Sequence, residues 1–103
     1  MTSDMRTTLV EMVKPELFVT WSDDATNQKI IRIVEDAESK LNHLLGAEMD
    51  YFAPGTHRTL FINYCIYAWN GITKDFKGNY MQDIYEVRRQ NEVKQHAESK
   101  EVQ

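Results

Sequence analysis

The pattern of apolar and polar positions changes character along the chain, and one stretch stands out. From Leu60 to Trp69 only Asn63 is polar. As a helix this run has no polar face, and a helix apolar all round must be covered on more than one side. A bilayer span needs roughly 20 apolar residues, so the run predicts no membrane segment. Few other elements are available to cover it. Part of its surface is therefore expected to meet another copy of the chain or a partner. The competing reading is a plain central core helix.

The other elements follow in order. Leu9, Met12 and Val13 give an i, i+3, i+4 stripe that predicts a short helix from about Met5 to Lys14. Pro15 disfavours helical geometry at Lys14 and ends it. Leu17, Phe18, Val19 and Trp21 read as an apolar connector packed under the next helix. Ser22-Asp23-Asp24 offers N-caps, and the acids suit the positive helix end. From Ala25 the helical period is clear. Ile30, Val34, Ala37, Leu41, Leu44 and Leu45 share a stripe, with Ile33 beside it, while Lys29, Arg32, Glu35, Asp36, Ser39 and Lys40 lie opposite. Gly46 is a natural stop. Ala47 to Gly55 reads as a loop in which Tyr51 and Phe52 plug the core. Thr56 is expected to cap the aromatic helix, which should end near Asn70-Gly71. A strand would suit the aromatic and β-branched residues, and Asn-Gly is a hairpin signal. The run lacks period-2 alternation and no matching strand follows, so helix is preferred. Ile72 to Gly78 reads as a second loop. Asn79 is expected to cap a last helix carrying Tyr80, Ile84 and Val87 on one side, with Met81 and Tyr85 next to them. Residues 89–103 keep helix formers but have only Val93, Ala97 and Val102 as apolar points. The expected fold is all-α: a small bundle of about four helices with a long second helix. Residues 1–88 form the domain, and residues 89–103 form a tail that is disordered or becomes helical against a partner.

Composition narrows the function classes. A chain of 103 residues makes one domain of modest stability. Net charge is −4, which argues against nucleic-acid binding as the chain's main business. Residues 1–53 carry ten acids and five bases, whereas residues 54–103 carry six acids and seven bases. That mild asymmetry is compatible with end-to-end contact between subunits. The single cysteine excludes an internal disulfide. The start has no basic, apolar leader pattern, and the expectation is a soluble protein made in a cytosol.

Candidate chemistry is sparse. Cys65 sits among Tyr64, Ile66 and Tyr67, where a cysteine acts as a small hydrophobe more often than as a nucleophile. His43, His57 and His96 fall on separate elements without metal spacing. Glu35, Asp36 and Glu38 form an acidic group best read as a solvated helix face. Arg88-Arg89 is a basic pair too small for a nucleic-acid patch and suits a salt-bridged helix end. The four glycines form no phosphate loop. No enzyme activity, cofactor or metal is expected; an assembly component is.

The order of three stretches resembles the head-tail connector (adaptor) proteins of long-tailed bacteriophages. WSDDATNQKIIRIVEDAESKLNHLLG, Trp21 to Gly46, is similar to the family's acidic cap and long helix ending in glycine. HRTLFINYCIYAWNG, His57 to Gly71, is similar to its aromatic central helix, and DFKGNYMQDIYEVR, Asp75 to Arg88, to its loop and closing helix. The acidic loop around Glu48-Met49-Asp50 and the two tryptophans depart from the commonest pattern. The resemblance implies a helical subunit of a homo-oligomeric ring, twelve-fold in the particle, under the portal protein. Such a ring extends the DNA channel and carries the next connector or a tail-completion protein. DNA would pass without sequence-specific binding, and the site of action would be the virion, with no membrane. The resemblance also implies roles for particular residues. Tyr64, Tyr67 and Trp69 would form the subunit interface. Arg88, Arg89, Val93 and Ala97 would contact the portal. In such a ring the acidic half of the chain, residues 1–53, adds a separate expectation: Asp23, Asp24, Glu35 and Asp36 would give the channel an acidic wall. Deletion after Arg89 would then leave the fold intact and abolish portal docking. The alternative is a small helical regulator that binds a host protein as a dimer or one-to-one complex.

Overall fold

The computed structural model describes residues 3–102, with side chains described through residue 98. The fold is all-α, with no strand among the described residues. Helix α1 (Ser3–Val13) buries Leu9 and Val13. Pro15 then tightens the chain into a 3₁₀ turn, Lys14–Leu17, because it has no N–H to continue the helix. The connector does not pack as a unit. Leu17 and Val19 are buried, but Phe18 is 86% exposed and Trp21 51%. The cause is the turn itself: Phe18 is left-handed (φ 59°, ψ 30°), which sends its side chain away from the two neighbours that reach the core.

Helix α2 (Asp24–Leu45) matches its pattern closely, burying Ile30, Ile33, Val34, Ala37, Leu41, Leu44 and Leu45. Asp23 caps it through Thr26 N at 2.8 Å and Thr26 Oγ1 at 3.0 Å. These bonds, the backbone one first, hold the Asp23 carboxyl below its ordinary range. Gly46 ends the helix at φ 75°, a conformation glycine adopts without Cβ strain. The following loop is organised by Asn42, whose Oδ1 accepts from Met49 N (3.2 Å) and Tyr51 Oη (2.7 Å). Tyr51 is buried and stacks on Phe61 at 4.6 Å, the expected plug, with Phe52 half-buried beside it.

Helix α3 (Thr56–Trp69) runs back along α2. Gly55, not Thr56, is its N-cap, and no side chain caps it. At φ 146° with the His57 ring 3.0 Å from where a Cβ would stand, position 55 requires glycine. The stretch expected as a loop then folds. A 3₁₀ turn, Thr73–Asp75, leads into the short helix α4 (Phe76–Asn79), which buries Phe76. Asn79 does not cap the last helix; its Nδ2 donates to Tyr67 Oη at 3.0 Å. Helix α5 (Met81–Val102) passes through residue 88, the expected domain boundary, without a break. Its side chains Arg88, Asn91 and Gln95 donate to the carbonyls of Leu44, Leu45 and Gly46 at 3.3, 2.9 and 3.1 Å. These are orphan acceptors at the end of α2, where a helix leaves its last carbonyls without intrahelical partners.

The layout follows from these contacts. α2 and α3 form the central pair; α1 packs on α2, and α5 packs on both members of the pair. The molecule measures 52 × 30 × 18 Å, and its radius of gyration of 14.9 Å exceeds the about 13 Å usual for this length because α5 runs beyond the body. No described helix is long and apolar enough to cross a membrane.

Candidate assembly surface

The aromatic helix that dominates the sequence is mostly spent inside its own subunit. Every residue from Leu60 to Trp69 is buried or half-buried, and Leu60, Phe61, Tyr64 and Cys65 are core. Tyr64 meets Phe76 edge-on at 5.1 Å. Tyr67 meets Phe76 and Tyr80 edge-on, each at 5.7 Å. Such pairs add about 0.5–1.5 kcal/mol beyond area burial. Trp69 lies under the Lys29 ammonium, 4.6 Å from the ring centroid. Of the three residues expected at the subunit interface, Tyr64 is therefore a core residue. Tyr67 and Trp69 keep only a partial surface.

The exposed large apolar side chains among the described residues lie elsewhere, Met5 of α1 among them. Trp21 and Phe18 stand on the connector after α1, with Ile72 (41% exposed) after α3. Met81 (43%), Tyr85 (58%) and Val93 (65%) stand on α5. Sequence periodicity misses them for a physical reason. Phe18 and Trp21 belong to no helix, and on α5 the buried positions among the described side chains are Ile84 and Val87, so the outer face looks like part of a broad apolar stripe.

The four acids expected on a channel wall do not share one surroundings. Asp23 is engaged as the cap of α2, and Asp24 is exposed beside it. Glu35 pairs with Arg6 of α1 at 3.1 Å. Asp36 lies on the α3 side, where its charge adds to burial in pushing the Tyr64 phenol up. The expected portal residues also divide. Arg88 is tied down by Leu44 O and by Glu92 at 3.2 Å, while Arg89, Val93 and Ala97 are exposed on α5.

Buried chemistry is inert in this arrangement. Burial pushes the Cys65 thiol up to about 12, so the nucleophilic thiolate is suppressed at neutral pH. Among the described residues no three His, Cys, Asp or Glu side chains come together as a metal set. Tyr51 is likewise raised, first by burial and then by the nearby Glu38 charge. Both groups set an alkaline limit. A raised folded pKa contributes stability that is full below the unfolded value, 9.0 for the thiol, and is lost as pH rises toward the folded value near 12. Thermal scans should show the melting temperature falling progressively above pH about 9. Over the same range the native thiol should stay unreactive to a disulfide reagent until the protein unfolds. Rapid labelling of native protein at pH 8 would contradict the burial.

No family model, curated protein or solved structure matches this chain.

Proposed function

We propose that this chain is a head-tail connector (adaptor) subunit of a long-tailed bacteriophage. In this reading it closes into a ring of twelve copies beneath the portal, extends the DNA channel and offers a platform to the next connector or the tail. The observation that carries it is the pair of uncovered apolar edges on different elements: Phe18 and Trp21 on the connector after α1, and Met81, Tyr85 and Val93 on α5. Two unlike sticky edges on one subunit suit a head-to-tail contact, which closes into a ring when its rotation allows. The three-stretch resemblance supplies the place in the particle. The projecting part of α5, with Arg89, Val93 and Ala97 exposed, is the portal-facing element in this assignment.

The mechanism is geometric. Packing between edges holds the ring, and the lumen guides DNA through contacts that carry no sequence information. Light scattering on purified protein over a wide concentration range, alone and with isolated portal rings, tests the assignment. A discrete species near the mass of twelve subunits, or binding to portal rings, is the expected result. A dimer at all concentrations with no affinity for the portal would replace this assignment with the helical-regulator reading.

A further inference from the structure

The two halves of α5 are attached to the body by different physics. In the first half Ile84 and Val87 are buried in the core. From Arg89 to Glu98 no side chain is buried; all are exposed except Asn91, which is half-buried. The attachment there is polar. Arg88, Asn91 and Gln95, spaced i, i+3 and i+7 on one helix face, donate to the successive carbonyls of Leu44, Leu45 and Gly46 at 3.3, 2.9 and 3.1 Å. Asn91 also donates to Met49 Sδ at 3.4 Å. The clasp is in register, one donor for each carbonyl that the end of α2 leaves open. Arg88, next to the buried Val87, marks where core packing ends and the clasp begins.

Water reaches this clasp. An open hollow of about 370 Å³ lies beside it, lined by Met49, Asp50 and His57 on the body and by Asn91, Lys94 and Gln95 on α5. Solvent therefore competes for the same donors and acceptors. The helix gives little support of its own, because a segment shorter than about 12–15 residues is marginal in water without packing. Segments with few buried apolar contacts and solvent-reached hydrogen bonds open at free energies below that of global unfolding. Residues 89–98 meet both conditions, while Ile84 and Val87 hold the preceding turns of the same helix.

We propose that residues 89–98 form a releasable strap, with Asn91 and Gln95 as its catch on the end of α2 and Arg88 at its fixed end. The strap opens as one unit while α1 to α4 and the first turns of α5 stay folded. Opening bares the Leu45 and Gly46 carbonyls and frees the face of α5 that carries Asn91 and Gln95. A partner that needs that face meets only the open fraction, so the catch scales its apparent affinity. The strap is a property of the single chain and does not depend on the ring reading.

Amide hydrogen exchange on the full chain, read residue by residue by NMR at several low urea concentrations, tests it. Amides from Glu92 to Glu98 should exchange together, at least about tenfold faster than those of Val87 and Arg88, at a rate that urea barely changes because local opening exposes little surface. Core amides such as that of Leu41 should quicken with urea. Asn91→Ala combined with Gln95→Ala then tests the catch by sign. Alanine is the better helix former, so without a catch the substitutions would slow exchange. With the catch, exchange from Glu92 to Glu98 should rise at least about fivefold. Gln95→Ala alone, at an exposed position, should move exchange the same way and serves if the double variant misfolds. Exchange that climbs smoothly toward the chain end and does not rise in the variants is ordinary fraying and overturns the strap. Exchange at the core's rate with the core's urea dependence also overturns it, because α5 then opens only with the whole fold. Either failure leaves the ring reading standing, since light scattering decides that separately.

Discussion

Phe76→Ala is expected to destabilise the fold by about 3–5 kcal/mol, the cost of removing a buried phenylalanine and leaving a cavity. That is a large share of the about 5–15 kcal/mol available to a domain of this size. Phe76 is only 1% exposed, and it is the centre of an aromatic cluster. Tyr64 and Tyr67 stand edge-on to it at 5.1 and 5.7 Å, and Tyr80 lies 5.0 Å away. This cluster fastens α4 to α3 and sets where α5 begins. Truncation to alanine would leave three tyrosine rings without their common neighbour, and the Tyr67 hydroxyl, which accepts from Asn79 Nδ2 at 3.0 Å, holds its ring from collapsing inward. Urea denaturation followed by far-ultraviolet circular dichroism gives the number. Met81→Ala, on an exposed position of α5, is the control and should change stability by no more than about 0.5 kcal/mol. A loss below about 1 kcal/mol for Phe76→Ala would mean that α4 is a surface turn and not part of the core.

The second large effect concerns the end of the chain. Deletion after Arg89 removes Asn91 and Gln95, which donate to the Leu45 and Gly46 carbonyls at 2.9 and 3.1 Å. It also removes Glu92, the partner of Arg88 at 3.2 Å. The ion pair is exposed and contributes little. The two hydrogen bonds are worth about 1 kcal/mol each, and the lost helical turns add end fraying, so a loss of about 2–3 kcal/mol is expected. In melting temperature that is a fall of roughly 10 °C or more for a domain this small. Deletion after Gln95 keeps both donors and should restore most of the stability while still shortening the projecting helix. The pair of truncations separates two roles that a single deletion confounds: holding α2's end, and reaching a partner. Equal stability of the two truncated chains would show that the contacts from Asn91 and Gln95 carry no weight. Deletion after Arg89 is still expected to leave the folded core intact, now with this loss of stability attached to it.

Both effects fall on residues whose sequence signals are weak. Phe76 stands between Asp75 and Lys77 in a short stretch bounded by Gly71 and Gly78, so it reads as a loop. Asn91 and Gln95 look like ordinary solvated positions on a polar helix. Their partners are 46 and 49 residues away in the chain, and nothing local announces a contact of that span. Phe18 is the converse. Its sequence context, an apolar residue between Leu17 and Val19, predicts burial, and the left-handed turn after Pro15 reverses the outcome.

Local rules were enough for much of this protein. Helix α2 was legible from its stripe, its Asp23 cap and its Gly46 stop, because a 22-residue helix averages many weak preferences in one direction. Pro15 as a break, Tyr51 as a plug and Cys65 as a core residue were legible for the same reason: each follows from one side chain and its immediate neighbours. What covers α3 was not legible. A helix apolar on all sides states that it must be covered but not by what, and the choice between its own chain and another copy depends on where α1, α4 and α5 pack. The structure puts Tyr64 inside, leaves Tyr67 and Trp69 at the margin, and moves the exposed apolar surface to Phe18, Trp21, Met81, Tyr85 and Val93. Burial is a property of the assembled helices. Sequence order sets each helix's own faces, and only tertiary packing decides which of those faces water still reaches.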